Sequence, residues 1–205
     1  MAIKKRESRI IGLCDIHVAT FTNADQEGGN TEPEYGTPEW LAGAVSANVT
    51  KESSAQDFYE DDELTDTIDA MGKITVEMVV SALSLAGRAK LQGSTVKNGV
   101  LVEKESDEAP YVALGFKSKK LNGKYRYVWL LKGKFSRVND SYQQKTNSIT
   151  SSEPSLSGSF MSRKYDGVHQ IIADEDDESI KPEVLTGWFT AVPNPADLHS
   201  TSTGA

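Results

Sequence analysis

The chain has 205 residues, and its 30 Asp and Glu outnumber 22 Lys and Arg, which gives a formal net charge of −8. That length suits one domain with a substantial core. The sequence has no run of about 20 apolar residues, which excludes a membrane-spanning helix. The apolar stretch after the basic N-terminal residues stops at Asp15, too short for a secretory signal. We therefore expect a domain that folds in a cytoplasm, and the single cysteine, Cys14, fits a reducing compartment.

Alternation of apolar and polar residues predicts that most elements are β-strands. The clearest case is Ile74, Val76, Met78 and Val80, which alternate with polar neighbours. Many short strands with little helix favour a β-sandwich or barrel flanked by one helix. The predicted strands, in chain order, cover residues 10–21, 40–50, 74–80, 111–116, 125–132, 155–161 and 168–173.

Two Asn-Gly pairs indicate hairpins. The pairs Asn98-Gly99 and Asn122-Gly123 each stand between strand-like runs. Both central residues of a type I′ turn need positive φ, which Asn and Gly tolerate best. The sequence therefore predicts hairpins over residues 95–104 and 111–135.

Helix signals are scarce. Apolar spacing predicts a helix over residues 83–92, and Gly93 stands where a C-terminal stop belongs. A second, shorter helix is predicted at residues 183–189, because the preceding Pro182 suits the first turn of a helix.

Three segments lack strand and helix signals. Residues 23–37 are predicted to form a surface connection, and residues 193–205 a flexible tail. Residues 51–71 are predicted to form a long extended loop; structureless loops above about 12–15 residues are usually functional or disordered. We therefore expect a single domain over residues 1–192.

Charge is distributed unevenly along the chain. The acids of the 51–71 loop have no basic residue among them, and a second acidic run covers residues 174–178. The run lacks the register of an EF-hand loop, so a solvated acidic loop is a better interpretation than a calcium site. The loop acids are Asp57, Glu60, Asp61, Asp62, Glu63, Asp66 and Asp69.

The predicted 111–135 hairpin and the residues just after it are basic. One interpretation is a nucleic-acid groove with Tyr125, Tyr127 and Trp129 as stacking platforms, but their alternation is typical of a buried strand face. The alternative is that basic hairpin and acidic loops meet between copies, in head-to-tail contacts that generate rings or stacks. Self-assembly is therefore favoured over catalysis. The basic residues are Lys117, Lys119, Lys120, Lys124, Arg126, Lys132, Lys134 and Arg137.

No catalytic or metal-binding constellation is recognisable. His17, His169 and His199 lie far apart in sequence, and no phosphate loop, nucleophile elbow or zinc spacing occurs. Cys14, on a predicted strand, is better interpreted as a small buried residue than as a nucleophile. We predict that the protein is not an enzyme and has no cofactor.

Several segments together resemble the major tail proteins of long non-contractile-tailed phages. The resemblance lies in the order of the pieces and spans residues 10–192. They are Ala109–Ser118 with the sequence APYVALGFKS, NGKYRYVWL at 122–130, KGKF at 132–135, LAGA at 41–44, YEDD at 59–62 and GWFT at 187–190.

This resemblance implies a β-sandwich or barrel of the phage tail-tube type, with one flanking α-helix and a short C-terminal helix. It implies hexameric rings whose inner sheets close around a lumen that conducts DNA, stacked through a long loop. Residues 51–71 occupy the place of that loop, with Asp57, Tyr59, Glu60, Asp61, Asp62, Glu63 and Asp66 as tentative stacking residues. It also implies a tape-measure protein, a tail terminator and a distal tail protein as partners, no membrane, and a virion tail location after assembly in the host cytoplasm.

The sequence leaves three alternatives open. The first is a terminator or minor tail protein, the second is a monomeric β-sandwich adhesin or carbohydrate-binding module, and the third is an enzyme of unrecognised type. The binding module would expose an aromatic platform from Trp40, Trp129 or Trp188. We further expect acidic side chains to prevail on the wall of the lumen, because lysines there would retain the DNA.

Overall fold

The computed structural model describes residues 7–23, 25, 32–60, 63–140 and 153–199. Within them the chain is mainly β, as predicted, and no helix there is long and apolar enough to cross a membrane. The elements are β1 (Ile10–Thr20), β2 (Glu39–Ala42), β3 (Ala44–Glu60), β4 (Glu63–Val80), α1 (Leu85–Gln92), β5 (Thr95–Lys97), β6 (Val100–Val102), β7 (Val112–Lys120), β8 (Tyr125–Phe135), β9 (Ser155–Phe160), β10 (Gln170–Asp174), α2 (Pro182–Thr186) and α3 (Pro195–His199).

One antiparallel sheet of eight strands forms the body, in the order β2-β1-β7-β8-β9-β4-β3, with β10 as a further partner of β8. The sheet branches at β8, because its residues 126–130 pair with β10 and its residues 133–135 pair with β9. Ile16 of β1, Leu114 of β7 and Val76 of β4 lie in the same buried cluster. The β9-β4-β3 branch therefore packs over the other branch, which makes the body the sandwich that the sequence predicted.

A second buried cluster covers the opposite face of β1, β7 and β8. It holds Trp129, Leu131 and Trp188, and residues of α2 pack against it. Gly115 makes room for this arrangement, because a Cβ there would lie 2.7 Å from the Trp129 ring. Strands β7 and β8 are thus buried on both faces, which explains their long apolar runs.

The helices begin and end where local chemistry permits. Ser84 caps α1 by accepting a hydrogen bond from the Gly87 N–H, and Gly93 ends it at φ 73°, so the helix starts two residues after the predicted position. Helix α2 is shorter than predicted because the chain turns after Thr186 and buries Trp188. Helix α3 lies in the segment for which the sequence predicted a flexible tail.

Both hairpins are confirmed, but their turns differ. Asn98 and Gly99 both have positive φ, as a type I′ turn requires. Around Asn122-Gly123 only Gly123 has positive φ, and its N–H bonds to the carbonyl of Lys120 at 3.0 Å. This second connection is a type I turn closed by a glycine. The predicted 40–50 strand is broken at Gly43, where the chain passes from β2 to β3.

Candidate assembly surfaces

Strands β3 and β4 extend far beyond the body. Strand β4 pairs with β9 only from Ile74 to Val79, whereas β3 and β4 continue to pair with each other as far as Glu60 and Glu63. We call residues 51–73 the arm. Every arm residue whose burial is described is exposed. The arm therefore projects from the sandwich without cover from the rest of the described chain.

The arm is a β-ribbon, and this differs from the irregular loop that the sequence predicted for residues 51–71. Its ladder runs from Ser53 opposite Met71 to Phe58 opposite Asp66, and the Thr67 hydroxyl donates to Asp57 at 2.8 Å. None of the arm side chains that the structure describes is buried on the body, and the sequence shows none of the alternation by which half-buried strands are recognised. Backbone pairing alone defines these strands.

The surface of the arm is acidic with a few exposed apolar side chains. Residues 51–71 contain eight Asp and Glu and one lysine. Phe58 is 43% exposed and Met71 45% exposed. An isolated two-stranded ribbon is marginally stable in water, and exposed aromatic and methionine side chains are enriched at protein contacts. The arm has the character of a surface that another chain covers.

The structure describes the predicted stacking residues to different extents. Asp57, Glu63 and Asp66 lie on the arm and are exposed. For Tyr59 and Glu60 only the backbone, in β3, is described. Asp61 and Asp62 lie outside the described residues. The part these residues play in stacking stays a prediction.

Most of the basic hairpin is neutralised within the chain. Among its residues, Lys117 pairs with Asp15 at 2.5 Å and Lys132 with Asp25 at 2.5 Å. The acidic run at 174–178 supplies the other partners. Its ion pairs are Lys120 with Asp174 and with Asp176, Lys124 with Asp176 at 3.4 Å, and Arg126 with Asp174 at 2.7 Å.

These pairs revise one expectation from the sequence. The complementarity of acidic and basic segments is real, but it operates inside one chain for these residues, because the β8–β10 ladder places Arg126 opposite Asp174. Burial raises the pKa of the Asp174 carboxyl, but hydrogen bonds from Lys120 and Arg126 outweigh it and lower the pKa to about 2. The acidic run at 174–178 therefore holds the basic hairpin through ion pairs within the chain, and we call this set of pairs the 174–178 clasp. No grouping of metal-ligating side chains occurs among the described residues.

A second set of polar contacts, centred on the Asp25 carboxylate, was not predicted from the sequence. Asp25, in the segment predicted to be a surface connection, accepts hydrogen bonds from the Lys164 and Tyr165 N–H groups at 2.8 and 3.0 Å in addition to its pair with Lys132. The only sign of this contact in the sequence is Lys132, a charged residue within the mostly apolar strand β8. The neighbouring Tyr35 donates to the carbonyl of Leu131 at 3.1 Å, and burial raises its pKa to about 12.

Three of the eight basic residues have no carboxylate partner among the described parts of the chain. Lys119 is exposed, Lys134 lies 4.5 Å from the centre of the Tyr111 ring, and Arg137 donates to the carbonyls of Lys104 and Glu105. These are the hairpin residues that can still meet a carboxylate from another copy.

Among the described side chains, the histidine, cysteine and tryptophan residues do not converge on one site; the side chain of His199 lies outside the described part of the chain. His17 stacks on Phe189 with ring centres 4.3 Å apart, and burial raises the pKa of Cys14, which keeps it a thiol rather than a nucleophilic thiolate. Trp129 and Trp188 are buried, whereas Trp40 is 61% exposed. A binding module with an aromatic platform would therefore have Trp40 alone.

The structure shows an antiparallel sandwich from which the arm projects as a β-ribbon. The profile of the phage tail tube protein family matches residues 1–191. The chain therefore belongs to this family, which places it in the tail of a bacteriophage virion as a self-assembling structural protein.

The chain is similar to the cryo-EM structure of the anti-feeding prophage cap, described as the AFP tube terminating cap, at 7% identity and a TM-score of 0.43. That similarity covers 85% of this chain and 99% of the other. No curated protein matches the chain.

Proposed function

We propose that the chain is the repeating subunit of a tail tube, in which six copies form a ring, rings stack, and DNA passes through the lumen. The observation that carries this proposal is the arm. It reaches beyond the sandwich as an exposed ribbon, and a ribbon of this kind gains stability when a neighbouring chain covers it. The arm of one ring contacting the next ring is the role that fits its reach and exposure.

Open strand edges support ring formation. Strands β2, β3 and β10 each have one ladder partner among the described residues. Trp40 on β2 and Ile172 on β10 are large and more than half exposed. Edges of this kind invite pairing with another chain, and pairing of two different edges is head-to-tail, which generates a closed ring when the rotation closes.

Charge supports a DNA conduit that does not retain its cargo. Six copies at −8 each carry −48 per ring, and the basic hairpin is largely neutralised within each copy. Paired lysines of the hairpin are less available to bind phosphate through counterion release. We infer that the lumen wall is acidic, which an electrostatic map of an assembled ring tests directly.

The assembly partners of the subunit and its location in the cell follow from the same proposal. The tube grows on a tape-measure protein and stops at a terminator, a distal tail protein is a further partner, and the subunit is in the host cytoplasm before assembly. A tube terminator or minor tail protein is the nearest rival within the phage tail, and a monomeric module that binds through Trp40 is the rival outside it.

Deletion of the arm tests the proposal. We expect a variant without residues 54–66 to remain folded by circular dichroism and to form no tubes by negative-stain electron microscopy. The matched control removes the β5–β6 turn tip, Asn98 and Gly99, which lies on a separate two-stranded sheet. Long tubes from the arm deletion would show that the arm does not stack rings. A wild-type protein that stays monomeric by light scattering at high concentration would favour the Trp40 module.

A further inference from the structure

The ladder between β3 and β4 changes register where the arm meets the body. Lys51 pairs with Ile74, and the next pair is Ser53 with Met71. Strand β4 therefore uses three residues where β3 uses two, which is a β-bulge. Bulges bend a strand and interrupt its ladder hydrogen bonds.

The same point is where β4 leaves the body. The pair of Ile74 with Phe160 is the last in the ladder with β9. Ile74 is fully buried, whereas Met71, three residues away, is 45% exposed. Among the described residues, the arm is thus joined to the sandwich through two adjacent strands at a bulge.

The residues of the bulge suit a pivot. Gly72 has no side chain, and a Cβ there would lie 3.2 Å from both the Cβ and the carbonyl oxygen of Glu52. Across the bulge, Lys73 and Glu52 form an ion pair at 3.6 Å with both side chains more than half exposed. Exposed pairs of this kind restrain geometry weakly.

We propose that Glu52, Gly72 and Lys73 form a hinge on which the arm pivots relative to the sandwich. Beyond the bulge the ladder is unbroken over six pairs, from Ser53–Met71 to Phe58–Asp66, so this part moves as a unit. No described arm residue is buried against the body. Bending of the arm relative to the sandwich therefore breaks the fewest contacts when it occurs at the bulge. The inference concerns motion in the unassembled chain and does not depend on ring stacking.

Paired spin labels test the hinge. In a Cys14→Ala background, labels at Ala55→Cys on the arm and Ser157→Cys on β9 report the arm-to-body distance in unassembled protein isolated by gel filtration. Labels at Ser157→Cys and Lys119→Cys report a distance within the body. All three positions are exposed. We expect the arm-to-body distance distribution to be about twice as wide as that within the body. Equal widths would overturn the hinge.

A bulky residue in the bulge should stiffen it. We expect Gly72→Val to narrow the arm-to-body distribution, because its side chain meets Glu52. Ala70→Val is the matched control, since it adds a branched residue to the exposed part of the arm beyond the bulge, and should leave the width unchanged. If Gly72→Val lowers the melting temperature of the body, Gly72→Ala replaces it and should narrow the distribution to a smaller extent, because its Cβ would lie 3.2 Å from Glu52. If Gly72→Val and Ala70→Val change the width of the arm-to-body distance distribution equally, the bulge is not the hinge.

Discussion

Asp25 and Lys132 form an ion pair that is almost closed to solvent. Their side chains are 3% and 6% exposed, and the Lys132 Nζ lies 2.5 Å from the carboxylate. The pair joins the segment after β1 to the centre of β8, which is 107 positions further along the chain. Hydrogen bonds from Lys132 and from two backbone N–H groups outweigh the effect of burial and lower the pKa of Asp25.

Removal of the lysine should destabilise the fold strongly. We expect Lys132→Met to lower the free energy of unfolding by about 3–5 kcal/mol, because it leaves the Asp25 carboxylate buried without a counter-charge. Urea denaturation followed by circular dichroism measures the change. The double variant Asp25→Asn with Lys132→Met should recover most of the loss, because it removes the charge and keeps an oxygen that accepts from the Lys164 and Tyr165 N–H groups. Lys119→Met, at an exposed position, is the control, and an equal loss in that variant would contradict the assignment.

Acid should weaken the clasp at 174–178. The pKa of Asp174 is lowered to about 2 from an ordinary 3.8, so its contribution is present above pH 3.8 and is lost as the pH falls toward 2. The shift corresponds to about 2 kcal/mol. We expect Asp174→Asn to be less stable than the wild type near pH 6, and the difference to shrink as the pH approaches 2. Glu77→Gln, an exposed change on β4, is the control. A difference that does not depend on pH would refute this role.

Loss of the aromatic ring at the arm should affect assembly and not folding. Phe58 is 43% exposed and lies on the arm, outside the buried clusters of the sandwich, so Phe58→Ser should leave the fold of the body intact. We expect the protein concentration needed for tube growth to rise by about tenfold, which is the effect of losing one moderate contact residue. Light scattering measures that concentration. Leu121→Ser removes a side chain that is 70% exposed on the β7–β8 turn and serves as the comparison.

A methyl group at Gly133 should disrupt the branch point of the sheet. A Cβ at this position would lie 2.3 Å from the Phe160 ring, and both residues are buried. We expect Gly133→Ala to lower the free energy of unfolding by about 1–3 kcal/mol through overpacking. Gly12→Ala is the matched control, because its nearest neighbour would be an ordinary contact at 3.6 Å. Equal melting temperatures for the two variants would contradict the close packing of Gly133.

The sequence predicted elements whose signals are local. The hairpin around Asn98-Gly99 and the stop of α1 at Gly93 are confirmed because both depend on the positive φ of one or two residues. The arm was predicted as a loop because an exposed ribbon has no buried face to pattern its sequence. Its role in stacking came from resemblance to a family, and remains a prediction.

Long-range partners were beyond sequence reasoning. The excess of acidic and basic residues in separate segments predicted complementarity, but only the β8–β10 register shows that Arg126 meets Asp174 in the same chain. The pairing of Asp25 with Lys132 depends on how the sheet folds over itself. No periodicity connects residues that far apart, so packing alone decides which charges meet.

Because most of the cations of β7 and β8 pair with carboxylates of their own chain, and each copy carries a net charge of −8, an approaching copy meets mainly carboxylates. Two free subunits therefore repel each other at a distance, and net charge of one sign keeps proteins dispersed. Dissolved salt should thus hasten polymerisation rather than hinder it. In dilute electrolyte, spontaneous nucleation should be rare, so that growth begins where a pre-formed end holds the first subunits together.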